Sequence, residues 1–421
     1  MKILHNSGRG SSDGSRPTWL CSQIGSREYY AIPNVLHQEG RLAGLVTDWY
    51  APGNPVLGWL VRRFSRSASL ARSESIPDEL VWSFPLRSLL WKRKVRALSA
   101  KGKMVEAYEQ TDHAFAAATT RLKLPPHQIF FGYSYASLEM LMAEKQRGVS
   151  TLLGQIDPGA LECQLVAEEM SRFPEFAGPP PEFPASFYDR NRREWELADR
   201  ILVNSAFSRD GLVKQGVNPK KLVVVPLCFE PGMEKSPAAD ETPRPTGKPL
   251  KVLFLGQVIL RKGIHYLMEA AKRVDPGKVH FDVVGALGIK PEVAAKAPPN
   301  VTFHGRATRD QAANWYRRAD VFVLPTLSDG FAITQLEAMS YGLPVIATPC
   351  CGEVVSDGID GFVVPPRNSE ALANAFQKYL DEPELLKGQG AFALIKAGKF
   401  TLERLAKNLK DIEKDFTAPL K

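Results

Sequence analysis

The sequence predicts an α/β protein built from two doubly wound domains, and three observations carry that expectation. Short apolar, β-branched runs alternate with helical segments along most of the chain, the rhythm of parallel sheets with crossover helices. At 421 residues the chain is too long for one ordinary core and suits two. A Pro-rich, polar stretch at 231–249 separates two such runs and reads as a linker between domains at 17–230 and 250–399.

Composition narrows the class. With 44% hydrophobic and 24% charged residues the chain is ordinary globular protein. No apolar run approaches the roughly eighteen residues of a spanning helix. Residues 1–16 lack the apolar core of a signal peptide and read as a flexible polar tail. Five cysteines (Cys21, Cys163, Cys228, Cys350, Cys351) are scattered and never form C-x-x-C. Neither a disulfide framework nor a zinc site is indicated, and a reducing cytoplasm is expected. The net charge of +8 is local: residues 51–103 hold eleven Lys or Arg against Glu74, Asp78 and Glu79.

Taken in order, TWLCSQ reads as a buried strand, IGSREYYAIPNVLHQEG as a turn and helix, and LAGLVTDWY as a second strand. This βαβ opening starts a doubly wound domain. Gly25 falls where the first strand hands over to the helix, either to let backbone approach a ligand or simply to serve the turn. Residues 51–122 then break the rhythm and read as a basic insertion, punctuated by Pro52, Pro55, Pro77 and Pro85. Trp59, Phe64, Trp82, Phe84 and Trp91 lie among its arginines. Aromatics beside cations suit peripheral contact with an anionic membrane over 51–103; the other reading is a solvated insertion whose aromatics pack onto the domain. No nucleic-acid motif accompanies the charge, so nucleic acid is not expected as a partner.

Regular structure resumes with QIFFGY as a strand, then a helix carrying Leu138, Leu141 and Met142, then STLLGQIDPG. Asp157 stands at that strand's end, where side chains of such sheets point into the ligand crevice. It reads equally as a site residue or as an Asx-Pro turn. His113 and His127 show no partner spacing and are expected in structural roles. The proline-rich stretch at 173–187 is a surface loop, 186–197 a helix, and 198–227 strand, helix, turn, strand, with Asn204–Ser205 as a helix cap.

The second domain opens on KVLFLG, a buried strand ending at Gly256, followed by a loop with Arg261 and Lys262 before Gly263 and a helix. Two cations beside a helix N-terminus can stabilise negative charge, the other reading being a solvated loop. FDVVG and VTFHGRA are further strand units, the second placing Arg306 at a strand end. Residues 321–366 alternate three apolar runs (321–324, 343–347, 362–364) with helix. Asp329 and Gly330 sit at the first strand-to-helix junction. Glu337 lies two helical turns on, sharing a face with Thr334 and Tyr341. A free helix N-terminus for phosphate, with carboxylates to accept from hydroxyls, can hold a sugar joined to a phosphate. The last helix, within 400–421, carries Leu402, Leu405, Leu409 and Ile412 on one stripe.

The stretch at 321–366 resembles the donor-site signature of retaining glycosyltransferases of family 4, among the glycosyl transferases group 1. Their pattern is E-x7-E, commonly E-G-F-G before a helix with L-E-A-M-A-x-G-x-P-V-I-A. This chain has D-G-F-A and LEAMSYGLPVIA, so Asp329 stands where the family usually has Glu. ADRILVNS, VVVPLCFEPG and the loop from Gly256 to Gly263 resemble further family segments, with Gln257 where Arg is common. The resemblance implies the GT-B fold: two Rossmann-like domains facing a central crevice, with the last helix crossing back to brace the first.

It also implies transfer of a hexose-type sugar from a UDP- or GDP-linked donor, with retention and without cofactor. Glu337 would accept from the ribose and Asp329 from the sugar. Backbone N–H groups of Gly330, Phe331 and Ala332 would face the sugar and diphosphate, with Gly256 and Arg306 lining the nucleotide. Arg261 and Lys262 would stabilise the leaving phosphate. Gly25 and Asp157 would be the first domain's contribution. No D-x-D motif suggests a metal, and the leaving phosphate itself would take the acceptor proton. The acceptor could be a glycan, a lipid or a small metabolite. The same donor site could serve a phosphorylase or a nucleotide-sugar hydrolase, and a catalytically silent membrane-surface scaffold is a further alternative. A dinucleotide-binding oxidoreductase is disfavoured because GSREYY at 25–30 lacks G-x-G-x-x-G. The cytoplasm, with peripheral contact at the inner face of a membrane, is the expected location.

Overall fold

The computed structural model describes residues 16–50, 76–229 and 248–417; the expected tail and linker fall almost wholly outside them. In the first half seven strands pair: β1 (Trp19–Gln23), β2 (Leu42–Thr47), β3 (Val81–Ser83), β4 (Ile129–Tyr133), β5 (Ser150–Gln155), β6 (Arg200–Val203) and β7 (Leu222–Val224). Their order is β3-β2-β1-β4-β5-β6-β7. The second half pairs β8 (Leu250–Leu255), β9 (Val279–Val284), β10 (Val301–Gly305), β11 (Val321–Leu324), β12 (Val345–Ala347) and β13 (Gly361–Val363) in the order β10-β9-β8-β11-β12-β13. Every pairing is parallel. Central strands such as β4 and β11 are buried at every residue, because helices cover both faces of a parallel sheet. This is the predicted class: α/β, with two doubly wound sheets.

Strand order reverses between β1 and β4 in one sheet and between β8 and β11 in the other. Outside the carboxyl ends of strands at such switch points, open sheets form their ligand crevices. The two switch points therefore fix where a site can lie before any side chain is considered.

The basic segment departs from its expectation. Residues 51–75 lie outside the described residues, but 76–122 is no irregular insertion. β3 extends the sheet beside β2, with Leu45 opposite Val81, and helices Pro85–Ser99 and Met104–Thr119 follow. A three-residue strand gives too short a pattern to read, and Pro85 starts a helix rather than breaking one. The described aromatics turn inward: Phe84, Trp91 and Phe115 meet edge to face with centroids 5.9–6.3 Å apart.

Helix Leu402–Thr417 returns to the first half, where Leu405, Leu409 and Ile412 join the core around Trp19 and Leu36. Glu413 accepts from the Trp19 indole at 2.5 Å and pairs with buried Arg41 at 3.0 Å. Among the described residues no helix is long and apolar enough to cross a membrane.

Candidate functional site

After β8 the chain makes one 3-10 turn, Leu260–Lys262, whose Arg261 carbonyl accepts from the Leu327 amide (2.8 Å) and the Thr326 hydroxyl (3.0 Å). These bonds lash the β8 loop to the β11 loop across the switch point. Lys262 meets the Asp329 carboxylate directly. Arg261 donates to the Ser328 carbonyl at 2.8 Å and lies 4.0 Å from Asp329 Oδ1. Its Nη1 also stands 3.4 Å from Glu162 Oε2, which accepts from the Ser328 hydroxyl at 2.8 Å.

Glu162 sits on helix Ala160–Arg172 of the first half, so one cluster of two cations and two carboxylates spans the crevice. Burial raises the Glu162 pKa; Arg261 opposes this, while Asp157 and Asp329 reinforce it. The pair expected to bind a diphosphate is thus brought together with Asp329, and with a first-half carboxylate that the sequence did not single out. Glu162 lies on an acidic helix with no motif around it, and only the tertiary fold reveals its position.

The helix carrying Glu337 spans Ile333–Ser340. Glu337 Oε2 accepts from the Tyr316 hydroxyl at 2.8 Å, and Tyr316 stacks on Tyr341 with centroids 5.4 Å apart. Burial, with the Glu337 charge second, pushes the Tyr316 phenol far above its usual range. That phenol holds the carboxylate in one orientation, a role that spacing in the sequence could not show. Tyr29, from the segment after β1, adds a small further rise to the same phenol.

Gly330, Phe331 and Ala332 fit the expectation only in part. The loop is held from beneath, the Asp329 amide donating to Cys350 O (2.8 Å) and the Ala332 amide to Cys351 O (3.4 Å). Phe331 and Ala332 are buried core residues, Phe331 packing on Phe400. The Ala332 amide therefore already has a partner within its own domain. Gly330 is needed for a different reason: a Cβ there would overlap the Ile156 carbonyl at the exit of β5, so bare backbone lets the two halves touch.

The remaining candidates are placed as follows. The Gly256 amide donates to Val284 O at 2.9 Å and ties β8 to β9. Arg306 is exposed and helps line a cavity of about 300 Å³ with Val284, His304, Trp315 and Arg318. There His304 meets Asp282 at 2.7 Å and packs on Trp315. Gly25 takes a left-handed φ of 71°, with open space where a Cβ would be, and its amide donates to Asp48 at 2.7 Å. The left-handed turn by itself calls for a glycine here. Glu28, Tyr29 and Tyr30 are also left-handed (φ 50–60°), a run of strained non-glycine residues in the segment after β1. Asp157 Oδ1 accepts from the Gly159 amide, the Gln155 amide and the Tyr135 hydroxyl, each at 2.9 Å. The Asx turn is thus realised, at the mouth of β5.

Comparison with known proteins bears on the family and the fold. Residues 249–382 match the family model described as Glycosyl transferases group 1. The chain is 28% identical over 263 residues to a D-inositol 3-phosphate glycosyltransferase of Streptomyces griseus subsp. griseus, covering 53% of this chain and 54% of the relative. It is 26% identical over 171 residues to an uncharacterized glycosyltransferase of Methanocaldococcus jannaschii, covering 39% and 48%. The chain spans about half the length of the curated relatives it matches. Among solved structures, HepE of Anabaena in complex with UDP superposes with a TM-score of 0.58 at 14% identity, over 94% of this chain and 100% of that one. Sucrose-phosphate synthase of Thermosynechococcus elongatus gives 0.59 at 18%, over 95% and 99%. The architecture is GT-B, and the segment that carries Arg261, Lys262, Asp329 and Glu337 is the one that matches the glycosyl transferases group 1.

Proposed function

We propose that the chain is a retaining glycosyltransferase of family 4 type, moving a hexose-type sugar from a nucleotide-diphosphate sugar to an acceptor held by the first half. The observation that carries this is the meeting of Arg261 and Lys262 with Asp329 at the β8/β11 switch point, one helix away from Glu337. HepE, similar in fold, has been solved with UDP and with UDP-glucose, and this supports a UDP-type donor over GDP.

Departure of a nucleoside diphosphate builds negative charge on the bridging oxygen. Two cations fixed beside it stabilise that charge without help from a metal ion. For this to happen, Lys262 must leave Asp329 for the phosphate, and Asp329 is then free to accept from the sugar hydroxyls. Glu337, oriented by Tyr316, accepts from the ribose. Gly330, Phe331 and Ala332 form the loop beside the sugar, and Gly256 and Arg306 bound the nucleotide end. Asp157 belongs to the acceptor side, and the Gly25 loop adds to the donor side from the first half. The leaving phosphate takes the acceptor proton as the new bond forms on the same face. Action at the cytoplasmic face of the cell is part of the proposal.

Incubation with a panel of nucleotide sugars tests it, by following nucleoside diphosphate release in the presence of a chelator and the anomer of the sugar product. One donor should turn over slowly with its α or β configuration kept, and Glu337→Ala should lower that turnover roughly ten- to a hundredfold, the cost of losing a charged hydrogen bond. Inverted product, or undiminished turnover by Glu337→Ala, would contradict the assignment. Turnover that requires inorganic phosphate would identify a phosphorylase instead.

A further inference from the structure

Helix Pro85–Ser99 does not look like its neighbours. Its inward face is Ser88, Trp91, Val95 and Leu98, packed towards the domain. Its outward face carries Leu86, Leu89 and Leu90, which are 77%, 52% and 62% exposed in a chain that buries most of its large apolar side chains. These three share one face at i, i+3 and i+4. Arg93, exposed, continues that face one turn on, with exposed Arg87, Lys94 and Arg96 flanking it. The helix contains five Lys or Arg and no Asp or Glu.

We propose that this helix docks the first domain on an anionic phospholipid bilayer, with Leu86, Leu89 and Leu90 entering the headgroup region and Arg93, Lys94 and Arg96 lying against lipid phosphates. The inference goes beyond the donor chemistry and does not depend on it. The chemistry of the face selects the partner. A tip of leucines ringed by cations matches a surface with negative charge outside and hydrocarbon beneath. Nucleic acid would use the cations but leave the leucines in water. A second copy of the chain, meeting this face about a twofold axis, would set cations against cations. Of the aromatics that suggested lipid contact in the sequence, Phe84 and Trp91 point inward and are not the ones to insert.

The helix is also tied to the crevice. β3 runs parallel to β1 and β2, and the helix begins two residues after it, so its leucine-bearing turns lie at the carboxyl edge of the sheet. Its Ser88 hydroxyl donates to Asp48 Oδ2 at 3.0 Å, and Asp48 Oδ1 accepts from the Gly25 amide at 2.7 Å. Docking by this face sets the first half's crevice loop beside the bilayer.

Flotation of the full chain with vesicles tests the proposal, comparing pure phosphatidylcholine with vesicles holding about 30 mol% phosphatidylglycerol. The protein should float only with the anionic vesicles. Leu86→Ser/Leu89→Ser/Leu90→Ser and Arg93→Glu/Lys94→Glu/Arg96→Glu should each lower partitioning at least about tenfold. All six side chains are exposed, so melting temperatures should match the wild type. A single Leu89→Cys protein carrying an environment-sensitive dye reports insertion directly, and its emission should shift to the blue on anionic vesicles. Failure to float, floating untouched by the leucine substitutions, or a dye that stays in water would overturn the proposal. So would a wild-type dimer that the leucine substitutions dissociate in the absence of lipid.

Discussion

At the scale of single residues, the first half's side of the crevice rests on a buried carboxyl group. Glu194 is wholly buried and accepts from the Tyr135 and Ser137 amides at 2.6 and 2.9 Å, shaping the loop after β4. Those bonds and nearby Arg190 favour the carboxylate, yet desolvation outweighs them and raises the group to about 7. Glu28, beside Tyr133, is likewise raised to about 7 by burial. An acid whose folded pKa exceeds its unfolded value holds its proton better when folded. Its contribution to stability is complete below about pH 4.5 and is lost as pH rises through 7. Unfolding free energy from denaturant titration should therefore fall between about pH 5 and pH 8, by on the order of 3 kcal/mol per group. Glu139, Glu169 and Asp199, lowered by their partners, act in the opposite sense but only at more acid pH. Glu194→Gln should flatten the slope, and an unchanged slope in that variant would show that Glu194 is ionised in the folded protein.

At the scale of elements, helix Leu402–Thr417 makes the clearest case. It leaves the second half at Phe400, packed in that half's core, and buries Leu405, Leu409 and Ile412 in the first. Leu409 is fully buried, so Leu409→Ala should cost roughly 2–5 kcal/mol. The first half should bear the loss although the substitution lies near the end of the chain, and hydrogen exchange in β1 and β2 would register it. Protection in β1 and β2 equal to wild type would mean the helix braces nothing.

This helix was legible in the sequence because its stripe runs over three turns at constant spacing. β3 was not, since three residues carry no periodicity and a parallel edge strand has no turn to announce it. The helix after it escapes the sequence for another reason: its outward face mixes leucine with arginine, so no amphipathic pattern points to the core. Asp329 and Glu337 were legible because one strand-loop-helix unit carries both. Glu162 and Tyr316 were not, because each reaches the site from a separate element, by contacts between residues 99 or more positions apart in one case and on the neighbouring helix in the other.

At the scale of the molecule, the two halves meet through helix Ala160–Arg172. Glu169, with no exposed surface, accepts from His265 and Tyr266 at 2.9 Å each and from Arg172 at 3.1 Å, and pairs with Arg367 at 2.6 Å. Phe173 and Phe176 continue the contact into the second half's core. Seven residues before Glu169, Glu162 reaches Arg261. The same first-half helix thus grips the second half and reaches Arg261, which couples crevice geometry to the Arg261–Lys262 loop.

The central claim is that Arg261 and Lys262 form a binding site for a nucleoside diphosphate. Calorimetric titration of the full chain with nucleoside diphosphates in a chelating buffer tests it most directly. At least one should bind, and Lys262→Ala should weaken that binding at least about tenfold, the loss of one charge-assisted hydrogen bond. Binding of no nucleoside diphosphate, or equal binding by Lys262→Ala, would contradict the account.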